Sequence, residues 1–390
     1  MIARIAETDG GHPDHGDSGD LGDFGDNGNR SMPEPSSCDD GLLRGFWYPA
    51  LRGERVRERG LKTVMLLGIP LVLGRDAEGC PFALRDSCPH RGMPLSKGWF
   101  DGHHLECCYH GWKFQPVTGQ CHEIPSLMPD AKLDVSRIYA TAFPCREHDG
   151  YLWVFMPERG ASTAPMEEVP RLPVFSDRYT STHLSAELPC HVDHGIIGLM
   201  DPAHGPFVHQ AWWWRTRHSI HEKCKQFEPI PMGFRMSAHT PSSNSAPYKL
   251  LRAYAKADAV TTIIDFVLPN RRYEQIHAGN YWFSSLTTVT PITTERCRID
   301  VVAAWNIFRH VPFVLPIFRL FGRKFVRQDQ RTMELQAEGL KHNPGLMLID
   351  DADRPAKWYF ALKAAYLESR RTGQPMQHPM QGRVMLRWRS

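Results

Sequence analysis

Two short pairs of metal-ligating residues constrain this chain more than anything else in it. They are Cys88-Pro89-His90 and, after residues 91–106, Cys107-Cys108-Tyr109-His110. Each pair offers one thiolate and one imidazole. The Gly and Pro residues around them (Pro89, Gly92, Pro94, Gly111) suit tight loops whose backbone N–H groups point at sulfur. Two Cys with two His also suit zinc. Zinc fingers, however, pair Cys with Cys and His with His, whereas each pair here is mixed. Mixed pairs fit a [2Fe–2S] cluster with Cys88 and Cys107 on one iron and His90 and His110 on the other. Two neutral imidazoles bring less negative charge than two thiolates, so that iron accepts an electron at a higher potential than in an all-Cys cluster.

A second group of candidate ligands lies in His191-Val-Asp-His194-Gly-Ile-Ile-Gly198-Leu-Met-Asp201-Pro-Ala-His204-Gly-Pro-Phe-Val-His209. His204 and His209, just after a carboxylate, fit two ligands of a 2-His-1-carboxylate facial triad, which leaves room for O₂ beside a substrate. A His pair at this spacing is also met as a structural feature of helices. For His191 and His194 a structural or orienting role is favoured over ligation.

Together the two motifs resemble the Rieske non-haem iron oxygenases, in their terminal oxygenase component, over roughly residues 45–340. Respiratory Rieske proteins carry an extra Cys in each cluster loop, where this chain has Met93 and Tyr109; Cys108 lacks an obvious mate and reads as a small buried residue. The resemblance implies an α+β fold. An N-terminal antiparallel β domain with the [2Fe–2S] cluster (45–157) would be followed by a linker (158–170). A C-terminal helix-grip catalytic domain with a curved antiparallel sheet (171–390) would hold mononuclear Fe(II). It also implies that Asp201 bridges a cluster His of one subunit and an iron-bound His of the next in a homotrimer. The rival for Asp201 is a buried carboxylate that merely orients His204. The late run Phe325-Val-Arg-Gln-Asp329-Gln-Arg-Thr-Met-Glu334-Leu-Gln336 resembles the family's carboxylate helix, making Asp329 the third iron ligand; Asp350, Asp351 and Asp353 are its competitors. At Gly198 the chain departs from the family, which often has Asn there.

The bulk composition removes other classes. A net charge of +3 is too small to argue for nucleic acid, and 42% hydrophobic with 23% charged residues is ordinary for a globular chain. Ten Cys without paired spacing point to a reducing, cytoplasmic setting. The start has no signal-peptide pattern, no apolar run is long enough to span a bilayer, and Met32 is an alternative start. Residues 1–40, rich in Gly and Asp, read as a disordered tail with solvated His12 and His15. No Gly-x-Gly-x-x-Gly follows a strand, so electrons from NAD(P)H would come through a separate ferredoxin or reductase.

Gly-punctuated β runs fill the first half: Thr63–Leu67, Pro70–Arg75, Pro81–Arg85 and Tyr151–Met156. Trp112 is expected to pack over the cluster. Further strands are expected at Tyr179–Leu188, Val260–Val267, Tyr281–Thr290 and Arg298–Asn306, and a basic amphipathic helix over 355–371. Trp212-Trp213-Trp214-Arg215 either caps a substrate cavity or packs the domain. The apolar, Arg-flanked stretch Arg309–Lys324 either roofs an active site or rests on a membrane surface. The tail at Arg387-Trp-Arg-Ser either binds a partner or frays. These features suggest O₂-dependent oxidation of a large hydrophobic molecule, with the methyl group of a sterol or steroid as the specific expectation and a monooxygenase favoured over a dioxygenase. A hydroxylase or demethylase of smaller aromatic compounds is the alternative. An electron-transfer protein without catalysis is the rival of another class.

Overall fold

Alternating and wholly apolar runs become strands, and among the described residues four antiparallel sheets result. The computed structural model describes residues 40–158, 160, 165, 167–210, 217–240, 246–308, 311 and 313–390. The tail expected over 1–40 lies outside these residues except for Asp40, as do Trp212–Trp214, Arg215, Arg309 and much of the linker.

The N-terminal half holds β1 (Phe46–Arg52), β2 (Lys62–Leu66), β3 (Ile69–Arg75), β4 (Pro81–Arg85), β5 (Trp99–Phe100) and β6 (Leu105–Glu106). It continues with β7 (Lys113–Phe114), β8 (Cys121–Glu123), β9 (Ala142–Phe143), β10 (Cys145–His148) and β11 (Tyr151–Met156). They form sheets of order β1-β11-β10, β2-β3-β4-β9 and β5-β6-β7-β8. Every residue of β11 (YLWVFM) is buried, the fate of a short apolar run covered on both faces. One ligand loop joins β4 to β5 and the other joins β6 to β7. Gly98, at the exit of the first loop, sits so close to the second that an added Cβ would lie 1.8 Å from the Glu106 carbonyl oxygen. Only glycine allows that approach.

The C-terminal half is built on one eight-stranded antiparallel sheet, of order β12-β18-β17-β16-β15-β14-β13-β19. Its strands are β12 (Thr180–Leu188), β13 (Glu222–Ile230), β14 (Gly233–His239), β15 (Thr261–Val267), β16 (Arg271–Ala278), β17 (Tyr281–Pro291), β18 (Cys297–Trp305) and β19 (Val384–Arg389). Strand periodicity gives this sheet two different faces. Leu286, Val302 and Ala304 pack with Trp47, Tyr151, Trp153 and Phe155 of the N-terminal half. The joint is sealed by polar contacts: the Tyr151 hydroxyl donates to Asp300 (3.2 Å), and Arg298 donates to Asp300 (2.7 Å) and to the Pro49 carbonyl (2.7 Å). The alternate residues face a cavity covered by α1 (Val192–Met200), α2 (Gly205–Val208) and α4 (Val314–Leu340). Two further helices, α3 (Ala246–Ala255) and α5 (Arg354–Thr372), complete the mixed α+β architecture.

One expectation is corrected here. The Arg387-Trp-Arg-Ser tail is not frayed: β19 pairs along β13, and the Ser390 N–H donates to the His221 carbonyl (3.1 Å). From Val314 onward the stretch before Phe325 is the start of α4, and Pro316 falls in the first helical turn, where its missing N–H costs no hydrogen bond.

Candidate metal centres and the cavity beside the second

The two cluster loops are built alike. In the first, the Cys88 N–H donates to the Met93 carbonyl and the Gly92 N–H to the Cys88 carbonyl, both at 2.8 Å. In the second, the Cys107 N–H donates to the Trp112 carbonyl (2.9 Å) and the Gly111 N–H to the Cys107 carbonyl (3.0 Å). Gly92 and Gly111 share a φ of 70°, the left-handed conformation that closes such loops. Cys88 and Cys107 are each 2% exposed, whereas His90 lies at the surface and His110 is half-buried. Their rings approach to 4.7 Å between centroids, and Trp112 stacks on His90 at 4.6 Å and 6°. Burial pushes the Cys88 thiol up to about 11, against the His90 N–H that favours the thiolate, and the neighbouring Cys107 adds to the rise. Metal binding at Cys88 must therefore displace its proton. Cys108 is half-buried rather than buried.

The second centre is gathered from three separate places in the chain. Asp201 caps the C-terminus of α1, His204 and His209 flank α2, and Asp329 projects from α4. Among the described residues, His204, His209 and Asp329 are the group whose ligating atoms all lie within 4.8 Å of one another. His204 Nε2 lies 3.1 Å from His209 Nε2, and Asp329 Oδ1 lies 3.0 Å from His209 Nε2 and 4.0 Å from His204 Nε2. Adjacent donors bound at about 2.1 Å around an octahedral ion stand about 3 Å apart.

The imidazoles are also held in the right tautomer. His204 Nδ1 donates to the Asp201 backbone carbonyl (2.8 Å), and His209 Nδ1 to Gln328 Oε1 (3.2 Å). Both Nε2 atoms are left with lone pairs pointing at each other and at a carboxylate, an arrangement of acceptors that a cation resolves. Burial opposes charge on His204, yet the carboxylates of Asp201 and Asp329 outweigh it and raise its pKa. Phe325 stacks on His209 (3.6 Å, 13°) and closes the buried side of the ring.

Two competitors of Asp329 are used elsewhere: Asp350 pairs with Lys357 (2.9 Å), and Asp353 accepts the Ile349 N–H (2.9 Å); the third, Asp351, is exposed. His191 caps α1 through the Asp193 N–H (3.2 Å), while His194 lines the cavity with a buried Nδ1 that has no partner among the described residues. A Cβ at Gly198 would meet the Met333 side chain at 3.4 Å, an ordinary contact. Gln328 and Phe325 carry no sequence signal beyond adjacency to Asp329 on its helix.

The triad opens into a cavity of about 1740 Å³, beyond the roughly 300–1,000 Å³ of an ordinary small-molecule pocket. Its walls are mainly apolar, and Ile317, Phe318, Phe321 and Phe325 of α4 roof it. Phe313 and Leu320, on the same helix end, are exposed.

Comparison with known proteins adds the following. Residues 46–142 match the family described as Rieske [2Fe-2S] domain, and residues 190–377 match the one described as Vanillate O-demethylase oxygenase C-terminal domain. Chlorophyllide a oxygenase of Chlamydomonas reinhardtii is 34% identical over 309 residues, which is 77% of this chain and 44% of that protein. A 4beta-methylsterol monooxygenase of Methylococcus capsulatus is 35% identical over 133 residues, 34% of this chain and 36% of that protein. The chain thus spans less than half the length of either relative. The crystal structure of dicamba monooxygenase bound to dicamba aligns with a TM-score of 0.66 at 21% identity, over 84% of this chain and 99% of that one.

Proposed function

Because the chain belongs to the Rieske non-haem iron oxygenases, with a [2Fe–2S] cluster and a mononuclear iron as its cofactors, we propose that it is a terminal oxygenase component. It takes electrons singly from a separate ferredoxin or reductase and uses O₂ to oxidise a large hydrophobic molecule, best described as a sterol or steroid at a methyl group. The observation that carries this reading is the large apolar cavity opening on His204, His209 and Asp329. A pure electron carrier has no use for such a cavity.

In this reading Cys88, Cys107, His90 and His110 hold the cluster, and His204, His209 and Asp329 hold the mononuclear iron. When bound, the cluster supplies electrons and the mononuclear iron supplies O₂ activation. The chain's own part is to orient and to shield. The Asp201 carbonyl and Gln328 keep each imidazole's lone pair on the metal side. Phe325 and the roof of α4 exclude water from the chemistry.

The Asp201 carboxylate accepts the Ala203 N–H (2.7 Å) and remains about a third exposed, at 34%. His90 is exposed as well. Two exposed ends suit a relay completed between subunits of a homotrimer, with Asp201 as the bridge. The exposed apolar end of α4, beside Arg319, Arg323 and Lys324, also suits peripheral contact with an anionic membrane.

Incubation of the holoenzyme with a ferredoxin–reductase pair, O₂ and a panel of methylsterols, steroids and aromatic ethers tests the assignment. Oxygen uptake coupled to a hydroxymethyl or carboxylated sterol is expected. Formaldehyde from the aromatic ethers alone would move the function to the second reading, a demethylase of smaller aromatic compounds, which the match of residues 190–377 favours.

A further inference from the structure

The cavity wall is a grid of cross-strand rows, and most of it is apolar. Its floor is interrupted on β16, where Arg272 and Glu274 stand two residues apart and share one face. Arg272 Nη1 donates to Glu274 Oε2 at 3.0 Å, and the two side chains are only 19% and 22% exposed. On β17, Thr287 stands opposite Arg272 and Ser285 opposite Glu274, both buried. On β15, the opposite neighbours are Phe266 and Ile264. A diagonal neighbour on that strand, Thr262, is 2% exposed and lines the same wall with a hydroxyl that has no partner among the described residues. Desolvating two charges here gains little stability over an apolar pair of the same size, so recognition is the better explanation for their presence.

We infer that the Arg272–Glu274 pair, with Ser285 and Thr287 beside it, is a recognition subsite for the hydroxyl group of an otherwise apolar, uncharged substrate. The chemistry of the pair selects that group. A carboxylate would gain from the guanidinium but would meet the Glu274 carboxylate beside it. A ketone can only accept, so it bonds Arg272 and adds no donor to the Glu274 carboxylate beyond the one that Arg272 already supplies. A hydroxyl accepts from Arg272 and donates to Glu274 at once. Lys225, another cation on the cavity wall, is turned to the Thr240 carbonyl (3.1 Å) and does not change the neutrality of the pair. The subsite rests on reading the cavity as the substrate site, and it narrows that substrate to an apolar alcohol.

Binding to the anaerobic holoenzyme, followed by equilibrium dialysis, tests this with three probes: a 3-hydroxysteroid, its 3-keto counterpart and a steroid carboxylic acid. The alcohol is expected to bind about tenfold or more tightly than the ketone, and the acid most weakly. Glu274→Gln should shrink the alcohol-over-ketone ratio and raise the affinity for the acid, because Arg272 then lacks a counter-charge. A merely structural pair would not give that swap, and the cluster spectrum checks that the variant is folded. Equal binding of alcohol and ketone, a preference for the acid, no binding of any probe, or an unchanged ratio in Glu274→Gln would each overturn the subsite. Turnover is scored separately under O₂. Preferential binding of the alcohol without an oxygenated product keeps the subsite and removes sterol oxidation, whereas product without the preference does the reverse.

Discussion

At the scale of single residues, the second centre depends on groups that never touch the metal. Gln328 fixes the tautomer of His209 by accepting from Nδ1 (3.2 Å), so Gln328→Leu should lower mononuclear iron affinity by roughly 10–100-fold while the cluster spectrum is kept. Iron titration of the variant checks it; undiminished affinity would mean that packing against Phe325 alone orients the ring. The candidate ligand pairs that the structure brings together were largely legible in the sequence, for a physical reason. Cys88/His90, Cys107/His110 and His204/His209 are each held on one short loop or turn, so their spacing survives in the chain order. Asp329 sits on a helix more than a hundred residues further on, and its place beside His209 is a product of packing that no local spacing records. Gln328 and the Arg272–Glu274 pair were invisible for the same reason: only the register of folded strands and helices shows where they face.

At the scale of elements, legibility followed how cleanly burial alternates. Pro81–Arg85 and Tyr151–Met156 form strands over the residues expected, because their apolar runs are short and fully covered. The strand β16 escaped notice because its cavity face presents Arg272 and Glu274, which blurs the alternation. The C-terminal strand β19 was masked by two Arg among its residues, yet Leu386 and Trp388 face the core while Arg387 pairs outward with Glu222. Trp388 is 8% exposed and packs in the same core cluster as Phe227 and Trp358. Trp388→Ala should therefore cost about 3 kcal/mol, seen as an earlier unfolding transition of the holoprotein by calorimetry. An unmoved transition would mean that β19 contributes nothing to the sheet.

At the scale of the molecule, two iron centres share one chain whose cluster face and Asp201 are both open to a neighbour. If electrons cross between subunits, Cys88→Ser and Asp329→Ala chains should each be inactive alone. Co-assembled in one oligomer they should regain turnover, because an intact cluster then faces an intact iron site. A mixture as inactive as its parts would place the electron route within a single chain. All of this rests on the claim that the chain holds a mixed-ligand [2Fe–2S] cluster and a separate iron at His204, His209 and Asp329. Iron and sulfide analysis with EPR, on protein purified without oxygen and reduced with dithionite, tests it most directly in the wild type and in His204→Ala. About three irons and about two sulfides per chain with a rhombic cluster signal are expected, falling to about two irons with the signal intact in the variant. Zinc in place of iron and sulfide, or a variant that loses the cluster signal along with its iron, would contradict it.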